Sequence, residues 1–317
     1  MKNRHFWNCL FAGVVLSLLT TVVPAQKPKP VVKVTKPLSK TAKPVSTASK
    51  PIIFAVLNDG KTLEPIAYVS RGKLAPPVNG SDSQNVISAF NKAYYRPGTV
   101  YRLIFGSSNA GTVTAKSSDA KADCSKNTAQ AATSSSKVQL KGLVMGLATN
   151  IPSKSTNASY RRKPTTAEKD EIDALARAEF AKQKLTPKVL RYQNLTALDI
   201  DNDGKPEFVG SYWIEIDKLT RGLLFLIAGK GINGKYAVGY HEYRLVDQAN
   251  VMSGAIKDVD DGVSHELLLD AFDYDGDGKA EIFTYIQSFE GAGFNAYRRS
   301  GGKWVRTFEG ANYHCAY

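Results

Sequence analysis

Sulfur and imidazole are scarce in this chain: its 317 residues include three cysteines and four histidines. No two cysteines stand in a C-x-x-C spacing and no Cys/His group has zinc-ligand spacing, so zinc modules and dithiol redox centres have no local motif. The G-x-S-x-G and H-E-x-x-H patterns are also missing, which removes the local signatures of a nucleophile elbow and of a zincin. Acid is absent from residues 1 to 51, which hold nine lysines or arginines. The formal charge of +13 therefore falls mostly at the start, and only +4 remains for everything after it. That distribution argues against a specific nucleic-acid surface, and Arg161-Arg162-Lys163, the one later basic cluster, is expected to be a solvated loop.

What the start does contain is a leader. Lys2 and Arg4 precede an uncharged, largely apolar run from Phe6 to Val23, which ends in Val23-Pro24-Ala25. Residues 1 to 25 are read as a secretory signal peptide, giving a secreted or periplasmic protein, or a membrane-anchored one if the leader is not cleaved. Residues 26 to 51 repeat lysine and proline without an aromatic residue and cannot bury a core. They are read as an extended linker of roughly 80 Å reach. Its charge suits electrostatic contact with an anionic envelope polymer.

Outside the leader two cysteines remain, Cys124 and Cys315, and in an oxidising compartment this pair is expected to form a disulfide. Ile52–Leu57 and Thr62–Val69 flank Asn58-Asp59-Gly60 as a predicted hairpin. Val100–Phe105 and Gly111–Ala115 form a second strand pair about Ser107-Ser108-Asn109. Residues 52 to 160 thus read as a small β-rich domain of unknown type. Within 161 to 186, Thr165 and Glu168 form a capping box ahead of an apolar stripe of Ile172, Leu175, Ala176 and Phe180, which predicts a connecting helix over about 166 to 184. From residue 187 to 317 the pattern is again strands and tight turns, so the fold class is mainly β.

Two segments carry the chemistry. Asp199-Ile200-Asp201-Asn202-Asp203-Gly204-Lys205-Pro206-Glu207 and Asp273-Tyr274-Asp275-Gly276-Asp277-Gly278-Lys279-Ala280-Glu281 both fit D-x-D-x-D-G-K-x-E. Carboxylates at positions 1, 3 and 5 of a curled loop point at one centre. Glycine at position 6 permits the turn, and such an oxygen cage suits a hard cation such as Ca²⁺. An EF-hand needs a glutamate at position 12, where this chain has Gly210 and Thr284. The carboxylate comes at position 9 instead, and a predicted strand follows each loop.

Loops of this length between strands resemble the FG-GAP or VCBS repeats of integrin-α-like β-propellers, over the C-terminal half only. The resemblance implies propeller-like antiparallel blades with Ca²⁺ held in D-x-D-x-D-G-x-x-E loops. It implies as ligands Asp199, Asp201, Asp203, Glu207 and the Lys205 carbonyl in one loop, and Asp273, Asp275, Asp277, Glu281 and the Lys279 carbonyl in the other. Asp258-Val259-Asp260-Asp261-Gly262 looks like a shortened third copy.

Weaker signals remain. Gly229-Lys230-Gly231-Ile232-Asn233-Gly234 matches G-x-G-x-x-G but reads as a hairpin turn. His265-Glu266 is a conceivable acid/base pair, although no catalytic residue is assigned. Two functions follow: a non-enzymatic, calcium-stabilised binding or adhesion module for a protein or glycan, or an exported hydrolase or lyase acting on an envelope polymer.

Overall fold

The computed structural model describes residues 49–152, 161–201, 203–231, 233–251 and 258–315. The expected leader and nearly all of the Lys/Pro linker lie outside them. The first strand, β1 (Ile52–Leu57), is buried on both faces, as its unbroken apolar sequence requires. It pairs antiparallel with β2 (Thr62–Ser70) through the predicted turn, where Asn58 and Asp59 take φ of 51° and 57°. A short β3 (Lys73–Ala75) extends β2. Next come β4 (Val100–Phe105), β5 (Ser108–Ser117), β6 (Ala129–Ser134) and β7 (Gly146–Thr149). The two-residue turn between β4 and β5 is Gly106-Ser107, with φ of 58° and 63°, one or two residues before the expected position.

The expected β-rich domain is therefore a closed barrel of six strands in the order β1-β7-β4-β5-β6-β2, sealed by the β1–β2 pairing. Alternation along β1 divides its side chains. Ile52, Phe54 and Val56 join the cluster containing Tyr101, Leu103, Val113 and Ala148, while Ile53, Ala55 and Leu57 pack outward. The sequence reading had one helix; the structure adds α1 (Gln84–Tyr94). Phe90 and Tyr94 of α1, with Tyr95 beyond it, join the first cluster, and the Phe54 ring lies 6.3, 5.6 and 4.9 Å from those of Tyr94, Tyr95 and Tyr101.

The second half contains two antiparallel meanders. The first comprises β9 (Arg191–Leu198), β10 (Glu207–Glu215), β11 (Thr220–Lys230) and β12 (Tyr236–Asp247), with β8 (Arg161–Arg162) added beside β9. The second comprises β13 (Glu266–Phe272), β14 (Glu281–Gln287), β15 (Gly291–Ser300) and β16 (Lys303–Tyr313). Between the meanders come α3 (Gln248–Val251) and a 3-10 turn, Val259–Gly262. The supposed third loop copy is that turn, and Asp260 is held by Arg221 at 2.7 Å. The G-x-G-x-x-G segment joins β11 to β12, as a hairpin should.

Apolar clusters set the layering. The outer face of the barrel packs on the second meander through Ile53, Leu147, Leu269, Phe283 and Phe294. The opposite face of that meander packs on the first through Leu268, Ile282, Tyr297, Val209 and Ile227. Last comes α2 (Thr166–Lys182), whose Ile172, Ala176 and Phe180 cover the far face of the first meander. Thr165 and Glu168 form the expected capping box, and Arg162 holds the Glu168 carboxylate with two bonds of 2.6 Å. That guanidinium and the cap hold the Glu168 pKa down at about 2.

Polar ties span the layers. Asp270, fully buried, accepts from the backbone N–H groups of Gly106, Ser107 and Ala271 and from Arg161, all at 2.8 Å. Arg161 also donates to the carbonyls of Met145 and Leu269 and lies over the Phe105 ring. The predicted solvated basic cluster thus supplies a buried clamp. At the end of β16, Asn312 donates to Glu64 at 2.8 Å, His314 Nε2 lies 2.7 Å from the same carboxylate, and Cys315 forms the expected disulfide with Cys124.

Candidate functional site

Both aspartate loops occupy the same place in their meanders, between the first and second strands, β9–β10 and β13–β14. Gly204 and Gly278, at position 6, adopt φ of 78° and 87°, the left-handed region that glycine enters without strain. Each loop is wound by its own carboxylates. Asp199 accepts from the Gly204 N–H and Asp203 from that of Lys205. In the second loop Asp273 accepts from Gly276 and Gly278, and Asp277 from Lys279. As a result, one carboxylate oxygen from each of Asp199, Asp201 and Asp203 falls within 4.8 Å of the others, and Asp273, Asp275 and Asp277 converge in the same way.

Glu207 and Glu281 sit at the first positions of β10 and β14 and are buried, standing outside these triplets. Burial pushes the Glu207 carboxyl up to about 7, against a hydrogen bond from the Ile200 N–H, and the Glu281 carboxyl up to about 8, against the pull of Arg298. An arginine bridges each glutamate to its loop. Arg299 lies 2.7 Å from Asp201 and 3.3 Å from Glu207; Arg298 bonds Asp275 and approaches Glu281 to 2.7 Å. That last contact brings the charges together without directing an N–H at the oxygen, so both Glu281 oxygens are buried without a hydrogen bond; in the first loop Asp199 Oδ1 is likewise buried without one.

These orphaned oxygens test whether a metal suits the loops. Three converging carboxylates repel one another, buried oxygens without donors are costly, and a divalent cation relieves both. The oxygen-only donor set fits a hard cation of the Ca²⁺ type. The Lys205 and Lys279 carbonyls belong to the same turns, and the Lys205 ammonium reaches back to Asp203 at 3.5 Å.

A second locus is a cleft of about 390 Å³ at the junction of the two meanders. Sequence reasoning paired His265 with Glu266, and both line this cleft. Glu266 is buried, and its Oε1 accepts three bonds, from Thr284 Oγ1 at 2.5 Å, Tyr297 Oη at 2.7 Å and Asn295 Nδ2 at 2.9 Å. Burial nevertheless raises the Glu266 pKa. His265 Nδ1 is buried without a partner, and desolvation, then Arg244, lowers the imidazole pKa. No sequence motif marks the three residues that hold Glu266. Their signal was present as polar side chains at Thr284, Asn295 and Tyr297 on otherwise apolar strand faces. Of the aromatics after the second loop, Tyr285, Phe294, Tyr297 and Trp304 are core, whereas Phe289 is 40% exposed.

No family model matches this chain, and neither a curated protein nor a solved structure is significantly similar to it.

Proposed function

We propose that this is an exported calcium-binding protein whose two aspartate loops hold Ca²⁺ as a structural ion, stiffening a pair of propeller-like blades of the FG-GAP/VCBS kind into a binding or adhesion module for a protein or glycan. The observation that carries the reading is the convergence of three carboxylates in each of two equivalent loops, one between the first two strands of each meander. The Cys124–Cys315 disulfide accords with an oxidising compartment, and the leader supplies the route there. At about 1 mM Ca²⁺ and a site Kd of ~10⁻⁴ M, binding contributes roughly 1.4 kcal/mol per site. The role is structural and needs no turnover. The Lys/Pro segment would hold the module against an anionic envelope polymer.

The test is calorimetry on the full chain. Ca²⁺ is expected to raise the thermal midpoint and EDTA to lower it, and the double substitution Asp199→Ala with Asp273→Ala should remove the difference. A double variant that kept the whole calcium shift would refute the loop assignment.

A further inference from the structure

The buried carboxylate in the cleft between the meanders has a feature that the calcium loops do not explain. Glu266 is 6% exposed, and all three of its hydrogen bonds end on Oε1. Its Oε2 accepts none from any described residue, and no described lysine, arginine or histidine forms an ion pair with it. Every other buried glutamate among the described residues has a basic partner: Glu64 has His314, Glu179 has Lys182, Glu207 has Arg299 and Glu281 has Arg298. Of the two arginines that line the cleft, Arg306 is taken by Glu242 at 3.0 Å and Glu309 at 3.5 Å.

Three neutral donors fixed on one oxygen lock the carboxylate in place and leave the other free for a ligand. A buried anion without a counter-ion is costly, and burial indeed raises its pKa; a bound cation with N–H donors would restore the balance. The cleft volume of about 390 Å³ falls in the range of small-molecule sites. Arg244, also lining it, donates to the Ser264 carbonyl and forms no ion pair with a described carboxylate, so an anionic or hydroxyl group on the ligand has a partner as well.

We propose that this cleft binds a small polar molecule through a protonated primary amine, which pairs with Glu266 Oε2. The site is separate from the aspartate loops, and its occupancy is read independently of calcium.

The experiment is titration calorimetry on the full chain in saturating Ca²⁺, using amines beside their N-acetylated forms: glucosamine with N-acetylglucosamine, and alanine amide with N-acetylalanine amide. Acetylation removes the charge and keeps most of the shape. At least one free amine is expected to bind and its acetylated partner to bind roughly 30-fold more weakly or not at all, the loss typical of a desolvated charge pair. Glu266→Gln should weaken the amine to the same degree. Gly293→Ala provides a second variant, because Gly293 lines the cleft and an added Cβ meets only ordinary contacts at 3.5 Å or more. It should weaken binding while leaving Glu266 and its donors intact. The proposal fails if neither amine binds, if acetylated and free forms bind alike, or if a folded Glu266→Gln protein retains full affinity.

Discussion

Arg298 and Arg299 are neighbours on β15, yet each serves a different aspartate loop. Arg298 pairs with Asp275 and Glu281 of the second loop, and Arg299 with Asp201 and Glu207 of the first. Successive strand residues project from opposite faces of a sheet, so one dipeptide supplies both counter-charges. The correspondence extends to register: in each loop the guanidinium bridges positions 3 and 9. These arginines offset the repulsion that converging carboxylates would otherwise feel, and they also oppose a cation that seeks the same oxygens.

Arg298→Ala should therefore act in two directions. Without metal it leaves Glu281 without a counter-charge, but burial already holds that carboxyl up at about 8, so near pH 7 it takes up a proton and the cost in EDTA is only about 1 kcal/mol. With the competing charge gone, Ca²⁺ affinity should rise by about tenfold or more. Thermal midpoints with and without EDTA check this, since the calcium-induced shift should be larger than in the unsubstituted protein. Arg299→Ala should do the same more weakly, because Asp201 is substantially exposed.

Asp270 joins the barrel to the second meander, and all four of its bonds end on a fully buried carboxylate. Asp270→Ala orphans two backbone N–H groups of the β4–β5 turn and leaves Arg161 buried without an anion. A loss of about 3–5 kcal/mol is expected by denaturant unfolding. Asp270→Asn keeps the volume but replaces an acceptor by a donor facing N–H groups, so it should rescue little of this loss.

The disulfide closes a chain segment with a sequence separation of 191 residues. Reduction, or Cys124→Ser with Cys315→Ser, should lower stability by about 2–5 kcal/mol, with the larger figures expected for so long a loop. Denaturant curves with and without reductant measure it.

What the sequence made legible was local. The β1–β2 turn, the capping box of α2 and the two aspartate loops each lie within nine or ten consecutive residues, and their side chains act on backbone close by. The α1 stripe was also there, in Ile87, Phe90, Asn91 and Tyr94. However, its N-cap Ser83 makes no side-chain cap bond and its first turn carries no acid, so no start signal marked it. The barrel closure was not legible, because it depends on β1 meeting β7 across almost a hundred residues. Nor was the role of Arg161: a basic triplet looks solvated until Asp270, 109 positions away, is placed beside it. The Glu266 site was hidden for the same reason, since its three donors come from two neighbouring strands.

Two histidines should give stability slopes of opposite sign with pH. His314 has its pKa raised by Glu64, so its protonated form is favoured in the folded state. That contribution is complete below the ordinary value near 6.5 and is lost as pH rises through the higher folded value. His265 is the reverse: burial lowers its pKa, so the folded protein resists protonation there and loses stability as pH falls from about 6.5 through the lower folded value. Unfolding free energies measured from about pH 5 to 8 should therefore show His314→Gln removing a decline on the alkaline side. His265→Gln should remove one on the acid side. If His314→Gln left the alkaline limb unchanged, the bond between His314 and Glu64 would carry no charge, and the tie between the C-terminal strand and the barrel would rest on Asn312 and the disulfide.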